Sequence, residues 1–217
     1  LFKQVIERYP FIFNRNDRIT LPRKVAAYVV SELQYLSLLD TETDVKGDAY
    51  EEIVGENLRG NRGEYFTPRN VCDMIVRMVM SLFSENDLTS LKVLDCCCGT
   101  GGFLVSWLNN LHRIIERQEA ARPGRTSPEE RAKKRVRQAC ERSLFGLDIN
   151  PLLVRTCQMN MVLHGDGSAN IFRADTTKTP GEWEDENARR ATPYGMADVV
   201  LTNPPFGSEA KIDDGHV

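Results

Sequence analysis

Polar and apolar positions alternate with a helical period over the first third of the chain and with a strand–helix rhythm thereafter. Val25, Val29, Leu33, Leu36 and Leu39 recur near helical spacing, and Pro22 before them suits the first turn of a helix. Asp48 to Leu58 predicts a second, shorter helix, with Gly60 as its stop. Gly63 to Pro68 reads as a loop. Pro68 then opens a helix whose Val71, Met74, Ile75, Met78 and Val79 form a stripe expected to pack into the core. From Leu91 the pattern changes. Short apolar runs at Leu91–Leu94, Ser143–Leu147, Ile171–Ala174 and Ala197–Leu201 predict four strands, with helices after the first two, from Phe103 to about Ile115 and from Pro151 to His164. This order predicts an α/β fold, a doubly wound parallel sheet preceded by a helical segment over 1–62.

Each run ends in a polar residue: Asp95, Asp148, Asp175 and Asn203. In such sheets ligands bind beyond the carboxyl ends of the strands, so these four positions are expected to share one edge. Between the first two strands, residues 113–142 carry ten Lys and Arg against five Glu. Ser127-Pro128-Glu129-Glu130 resembles a helix N-terminus, and the stretch is expected to be a solvated, basic helical excursion. Over all 217 residues the net charge is −3 and the mean hydropathy −0.39. The charge excludes a protein that coats polyanions by bulk attraction, and the hydropathy, with no long apolar run, excludes a membrane span. Six cysteines, three of them consecutive at Cys96–Cys98, make neither a disulfide framework nor a spaced zinc set. They predict reduced thiols and a cytoplasmic setting.

The chemistry concentrates in two elements. Asp95-Cys96-Cys97-Cys98-Gly99-Thr100-Gly101-Gly102-Phe103 joins a strand to a helix, where glycines permit tight turning and close backbone approach. A phosphate loop is excluded because no Gly-Lys-Ser/Thr follows. The dinucleotide fingerprint fails at Leu104, where its third glycine belongs. A nucleoside ligand without phosphates remains, with Asp148 placed to accept both ribose hydroxyls. Asn150 is the better cap for the helix that Pro151 opens. Asp175 is positioned to meet an adenine amino group, although a plain turn aspartate has the same signature. Asn203-Pro204-Pro205-Phe206 is the most specific tetrapeptide. Its prolines stiffen the turn past a strand, fixing the Asn203 carboxamide oxygen and the Pro204 carbonyl as neighbouring acceptors for an exocyclic NH2. Phe206 offers a ring for stacking.

Taken together, Gly63 to Arg69, Asp95 to Phe103, Phe145 to Pro151, Met159 to Gly165, Ala174-Asp175-Thr176 and Asn203 to Gly207 resemble the N-6 adenine-specific DNA methyltransferases. The resemblance is greatest to the modification subunits of type I restriction–modification systems. It implies a Rossmann-like methyltransferase core over 63–217, incomplete at its C-terminus because only a short stretch follows Phe206. It also implies an S-adenosylmethionine cofactor held by Tyr65, Phe66, Thr67, Pro68, Asp95, Gly99, Thr100, Gly101, Gly102, Phe103, Asp148, Ile149, Asp175 and Thr176. Asn203, Pro204, Pro205 and Phe206 would be catalytic, acting on an adenine flipped out of the duplex with no metal. The implied partners are double-stranded DNA, a specificity subunit that reads it and a restriction subunit. Cys96 departs from the family, which usually has proline there, and Cys97 stands where a small residue is common. The same tetrapeptide also suits a protein glutamine amide or an RNA base, and a cofactor-binding scaffold without turnover is a third reading.

Overall fold

A computed structural model describes residues 2–36, 49–50, 67–165 and 170–205. Helix α1 (Phe2–Arg8) and helix α2 (Arg23–Leu33) precede α3 (Arg69–Met80). Then follow β1 (Val93–Asp95), α4 (Gly102–Ala120), α5 (Pro128–Ser143), β2 (Leu144–Asp148), α6 (Pro151–Leu163) and β3 (Ile171–Arg173). A short helix α7 (Glu186–Ala191) leads to β4 (Val199–Val200).

The four strands form one parallel sheet in the order β3-β2-β1-β4. The register pairs Val93 with Leu144 and Val199, and Gly146 with Ile171. Because successive side chains alternate across a pleated sheet, Val93, Leu144, Ile171 and Val199 face one way. They enter a core with Leu104, Trp107, Leu111 and Ile115 of α4. Leu94, Leu147 and Phe172 face the other way, against Trp183 and Ala188. Helices thus cover both faces, and the doubly wound expectation holds. The chain runs outward from β1 through β2 to β3, then returns to the far side of β1 as β4. That reversal places the topological switch point between β1 and β4, where a crevice opens at the strands' carboxyl ends.

Two expectations need correction, on α3 and in the basic stretch. On α3 the buried residues are Cys72, Val76 and Met80, with Ile75 and Val79 packed beside them, whereas Met74 and Met78 are exposed. The packed face is rotated by about one residue from the expected stripe and takes in Cys72, which packs as a small hydrophobe. The helix expected after Pro22 is present as α2, which ends at Leu33; Val25, Val29 and Leu33 on it and Leu36 just past it are all exposed. The basic stretch is only partly solvated. α4 runs on to Ala120, and α5 starts as expected, with Ser127 Oγ accepting from Glu130 N at 3.1 Å. One face of α5 buries Ala132, Val136, Ala139 and Cys140 in the main core. Glu119, almost wholly buried, accepts from Arg122, Arg131 and Arg135 at 3.3, 3.0 and 3.1 Å. The Arg131 guanidinium above all holds the Glu119 carboxyl below its ordinary range. Part of the basic character therefore turns inward, knotting the two helices into a hairpin.

The N-terminal residues dock on α6. Arg155 Nε donates to the Ile12 carbonyl at 2.6 Å, its guanidinium pairs with Asp17, and it lies over the Phe13 ring at 5.7 Å. The expected helix from Asp48 to Leu58 falls outside the described residues, apart from Ala49 and Tyr50, which are helical. Leu39 is also outside them. No helix among the described residues is long and apolar enough to cross a membrane.

Candidate active site

Asp95 closes β1 and is 2% exposed. Its Oδ1 accepts from Cys97 N at 3.2 Å, and the Thr202 hydroxyl donates to the same carboxylate while accepting from Cys97 N at 3.2 Å. Burial, reinforced by the nearby Asp148 charge, outweighs those bonds and pushes the Asp95 carboxyl up to about 7. Asp148 closes β2, with Oδ2 accepting from Gly99 N at 2.9 Å and Oδ1 from Asn150 N at 2.8 Å. These two backbone bonds fix the plane of the carboxylate at the edge of the glycine loop. Asn150 caps α6 through Leu152 N at 3.0 Å, so the helix-cap role goes to it, as expected.

The loop itself turns at Gly99 (φ 52°) and Gly101 (φ 89°), both in the left-handed region open to glycine. Gly101 is also the N-cap of α4, and no side chain caps this helix. Its first-turn N–H groups therefore point toward the crevice, as at other helix ends that receive polar ligands. From behind, Asn160 Nδ2 donates to the Thr100 carbonyl at 2.9 Å, and Cys157 Sγ would lie 2.7 Å from any Cβ added at Gly101. Arg69 Nη1 reaches the Gly102 carbonyl at 3.5 Å, tying the start of α3 to the loop.

Thr67, Asp95, Gly99, Thr100, Gly102, Phe103 and Asn203 line one cavity of about 60 Å³, together with Cys72, Cys97 and Cys98. Here the strand-end chemistry converges. Across it, Asn203 Nδ2 donates to Thr67 Oγ1 at 3.0 Å. Pro204 and Pro205 follow Asn203 at the surface, and Pro68 heads α3. Thr176 Oγ1 donates to the Cys96 carbonyl at 3.2 Å, so it braces the loop without lining the cavity. Asp175 lies outside it as well, with Oδ1 accepting from Thr177 N and Thr177 Oγ1 at 3.2 and 2.6 Å in a local turn. Ile149 is exposed. Tyr65, Phe66 and Phe206 fall outside the described residues. A larger cavity of about 780 Å³ lies between Phe11, Ile12, α6 and α7, but it holds none of these groups; Asp95, the glycine loop and Asn203 meet at the smaller one. The cysteines are all free thiols, and burial pushes Cys96 up to about 11, so it is not a nucleophile at neutral pH.

Thr202 and Cys157 are not marked in the sequence reading, and Asn160 enters only within the Met159–Gly165 stretch of the resemblance, with no role of its own. Thr202 carried a signal, being a polar residue at a strand end beside Asn203. Asn160 and Cys157 share one face of α6 but meet the loop only through tertiary packing, and nothing local reveals that contact.

A family model described as N-6 DNA Methylase matches residues 41–215. The chain belongs to the N-6 DNA methylase family. Among curated relatives, the methylase subunit of the type I restriction enzyme MpnII from Mycoplasma pneumoniae is 27% identical over 75% of this chain and 26% of its own length. The corresponding EcoEI subunit from Escherichia coli is 28% identical over 76% of this chain and 28% of its length. The chain thus spans about a quarter of these relatives. Among solved structures, the type I restriction–modification methyltransferase subunit from Streptococcus thermophilus superposes with a TM-score of 0.62 at 25% identity, covering 98% of this chain and 40% of that one. A modification subunit of a putative type I restriction enzyme from Vibrio vulnificus gives 0.53 at 26% identity, covering 86% and 34%. These superpositions show that the chain shares the α/β fold of those subunits.

Proposed function

We propose that this N-6 DNA methylase chain transfers a methyl group from S-adenosylmethionine to the N6 amine of a flipped adenine in double-stranded DNA. We place it as the modification subunit of a cytoplasmic type I complex with specificity and restriction subunits. The observation that carries the reading is the convergence of Asn203 with Asp95 and the glycine loop at the switch point. The residues suit the cofactor. Thr67, Asp95 and the loop from Gly99 to Phe103 would hold its amino-acid end, and the buried Asp95 carboxyl would become charged against its ammonium. Asp148, with its plane fixed, would accept the ribose hydroxyls, while Asp175, Thr176 and Ile149 would flank its adenine, and Tyr65, Phe66 and Pro68 its methionine side. When bound, the cofactor supplies an electrophilic methyl group on a sulfonium.

The chain's own residues handle the amine. The Asn203 carboxamide oxygen and the Pro204 carbonyl accept its two hydrogens, localise its lone pair on nitrogen and stabilise the positive charge that develops there. Phe206 would stack on the flipped base, and the displaced proton leaves through the acceptors to water. The relatives favour DNA over a protein glutamine or an RNA base as acceptor. Asn203→Ala should lower labelled-methyl incorporation into plasmid DNA by about 10²-fold or more and leave S-adenosylmethionine affinity within a few-fold. Equal loss of both would remove Asn203 from the chemistry.

A further inference from the structure

We propose that Thr67 is a positioning residue that sets the orientation of the Asn203 amide for methyl transfer; the inference rests on the function proposed above. The two residues lie 136 positions apart, and Asn203 Nδ2 donates to Thr67 Oγ1 at 3.0 Å. An asparagine side chain has one face that donates and one that accepts, and its terminal torsion is broad and roughly two-fold. Left alone, it would present NH2 to the target about as readily as oxygen, and an amine donor facing an amide donor cannot be held. An acceptor clamped on Nδ2 resolves this. With nitrogen toward Thr67, Oδ1 points to the opposite side, where the amine of the substrate is to be received.

The clamp is itself held. Thr67 is β-branched and restricted at χ1, and the Cys72 thiol lies 3.8 Å from its carbonyl. It immediately precedes α3, whose Val71 N and Cys72 N bond the Pro68 carbonyl at 2.9 and 3.1 Å, and Cys72 and Val76 anchor that helix in the core. The Asn203 side is equally fixed, since Leu201 N donates to the Leu94 carbonyl at 2.9 Å and Thr202 is bonded to Cys97 N. Because Thr67 also lines the cavity assigned to the cofactor, its hydroxyl has one proton left to donate there while it accepts from Asn203. Cofactor seating and amide orientation therefore meet on one hydroxyl group.

The test uses the complete protein with tritiated S-adenosylmethionine and unmodified plasmid DNA. It measures the single-turnover rate at saturating cofactor and, separately, equilibrium cofactor affinity. Thr67→Val keeps the shape and removes the acceptor. With the roughly tenfold bias that one neutral hydrogen bond gives removed, the two orientations become about equally populated, so the saturated rate should fall about twofold whatever the accompanying change in cofactor affinity. Thr67→Ser should restore the parent's saturated rate. A Val variant that loses cofactor affinity but keeps its saturated rate would make Thr67 a cofactor ligand alone and overturn the proposal. So would a Ser variant as slow as Val, or a Val variant faster than the parent, which would mean the hydroxyl holds Oδ1 instead. An active Asn203→Ala enzyme overturns the parent function and this role together. An inactive one beside an undiminished Thr67→Val enzyme overturns this role only.

Discussion

Replacing Gly101 with alanine tests whether the glycine loop is held by backbone conformation, by close approach, or by both. At φ 89° an L-residue is strained by roughly 1–2 kcal/mol. The added Cβ would also stand 2.7 Å from the Sγ of Cys157, a fully buried residue on α6. Overpacking of that kind costs about 1–3 kcal/mol, so the sum is roughly 2–5 kcal/mol. Gly99 is the internal control, because its φ is 52° and nothing lies within 4 Å of an added Cβ. Gly99→Ala should therefore show the backbone cost alone. At about 2–4 °C per kcal/mol for a domain of this size, the Gly101 variant should melt roughly 4–20 °C below the parent. The Gly99 variant should fall only about 2–8 °C, both followed by circular dichroism on the purified chain. Adding Cys157→Ala removes the clashing sulfur and leaves the nearest remaining atom at 3.8 Å, so the double variant should recover part of the Gly101 loss. Equal melting losses for the two alanine variants, or no recovery with Cys157→Ala, would refute the close-approach account.

Two pH-dependent predictions accompany it. Asp95 has a folded-state carboxyl near 7 against an ordinary 3.8, so its contribution to stability is intact at low pH and is lost as pH rises toward 7. At about 1.36 kcal/mol for each tenfold in proton affinity, that loss is on the order of 4 kcal/mol. Asp95→Asn should flatten the decline in urea-unfolding free energy between about pH 4 and 7; parallel slopes for parent and variant would contradict it. Glu119 has the opposite sign. Its carboxyl is held low by Arg131, so the knot stabilises the helical hairpin above the ordinary carboxylate range and weakens as pH falls through its lowered value. Glu119→Gln should speed hydrogen exchange along Pro128–Ser143 at neutral pH, and unchanged protection there would show the arginines contribute nothing.

The chain's local pattern determined a good deal by itself. Four apolar runs ending in Asp95, Asp148, Asp175 and Asn203, with a glycine turn after the first, specified a parallel sheet and the edge on which its chemistry sits, because strand period, turn chemistry and helix caps are all set within a few residues. Ser127 and Asn150 as caps were legible for the same reason. What only the tertiary structure decided is which of those strand ends share a site. The return of β4 to the far side of β1 puts Asn203 beside Asp95 and leaves Asp175 in a turn outside the cavity. Nothing local to α3 revealed that Cys72, Val76 and Met80 pack inward while Met74 and Met78 stay outside, since helix rotation is chosen by the partner surface. Nor did a run of basic residues disclose a buried Glu119 that draws three arginines inward. The Thr67–Asn203 bond joins residues far apart in sequence. No spacing rule reaches that distance, and it exists because the sheet's switch point brings the residue ahead of the α3 cap beside the turn that follows β4.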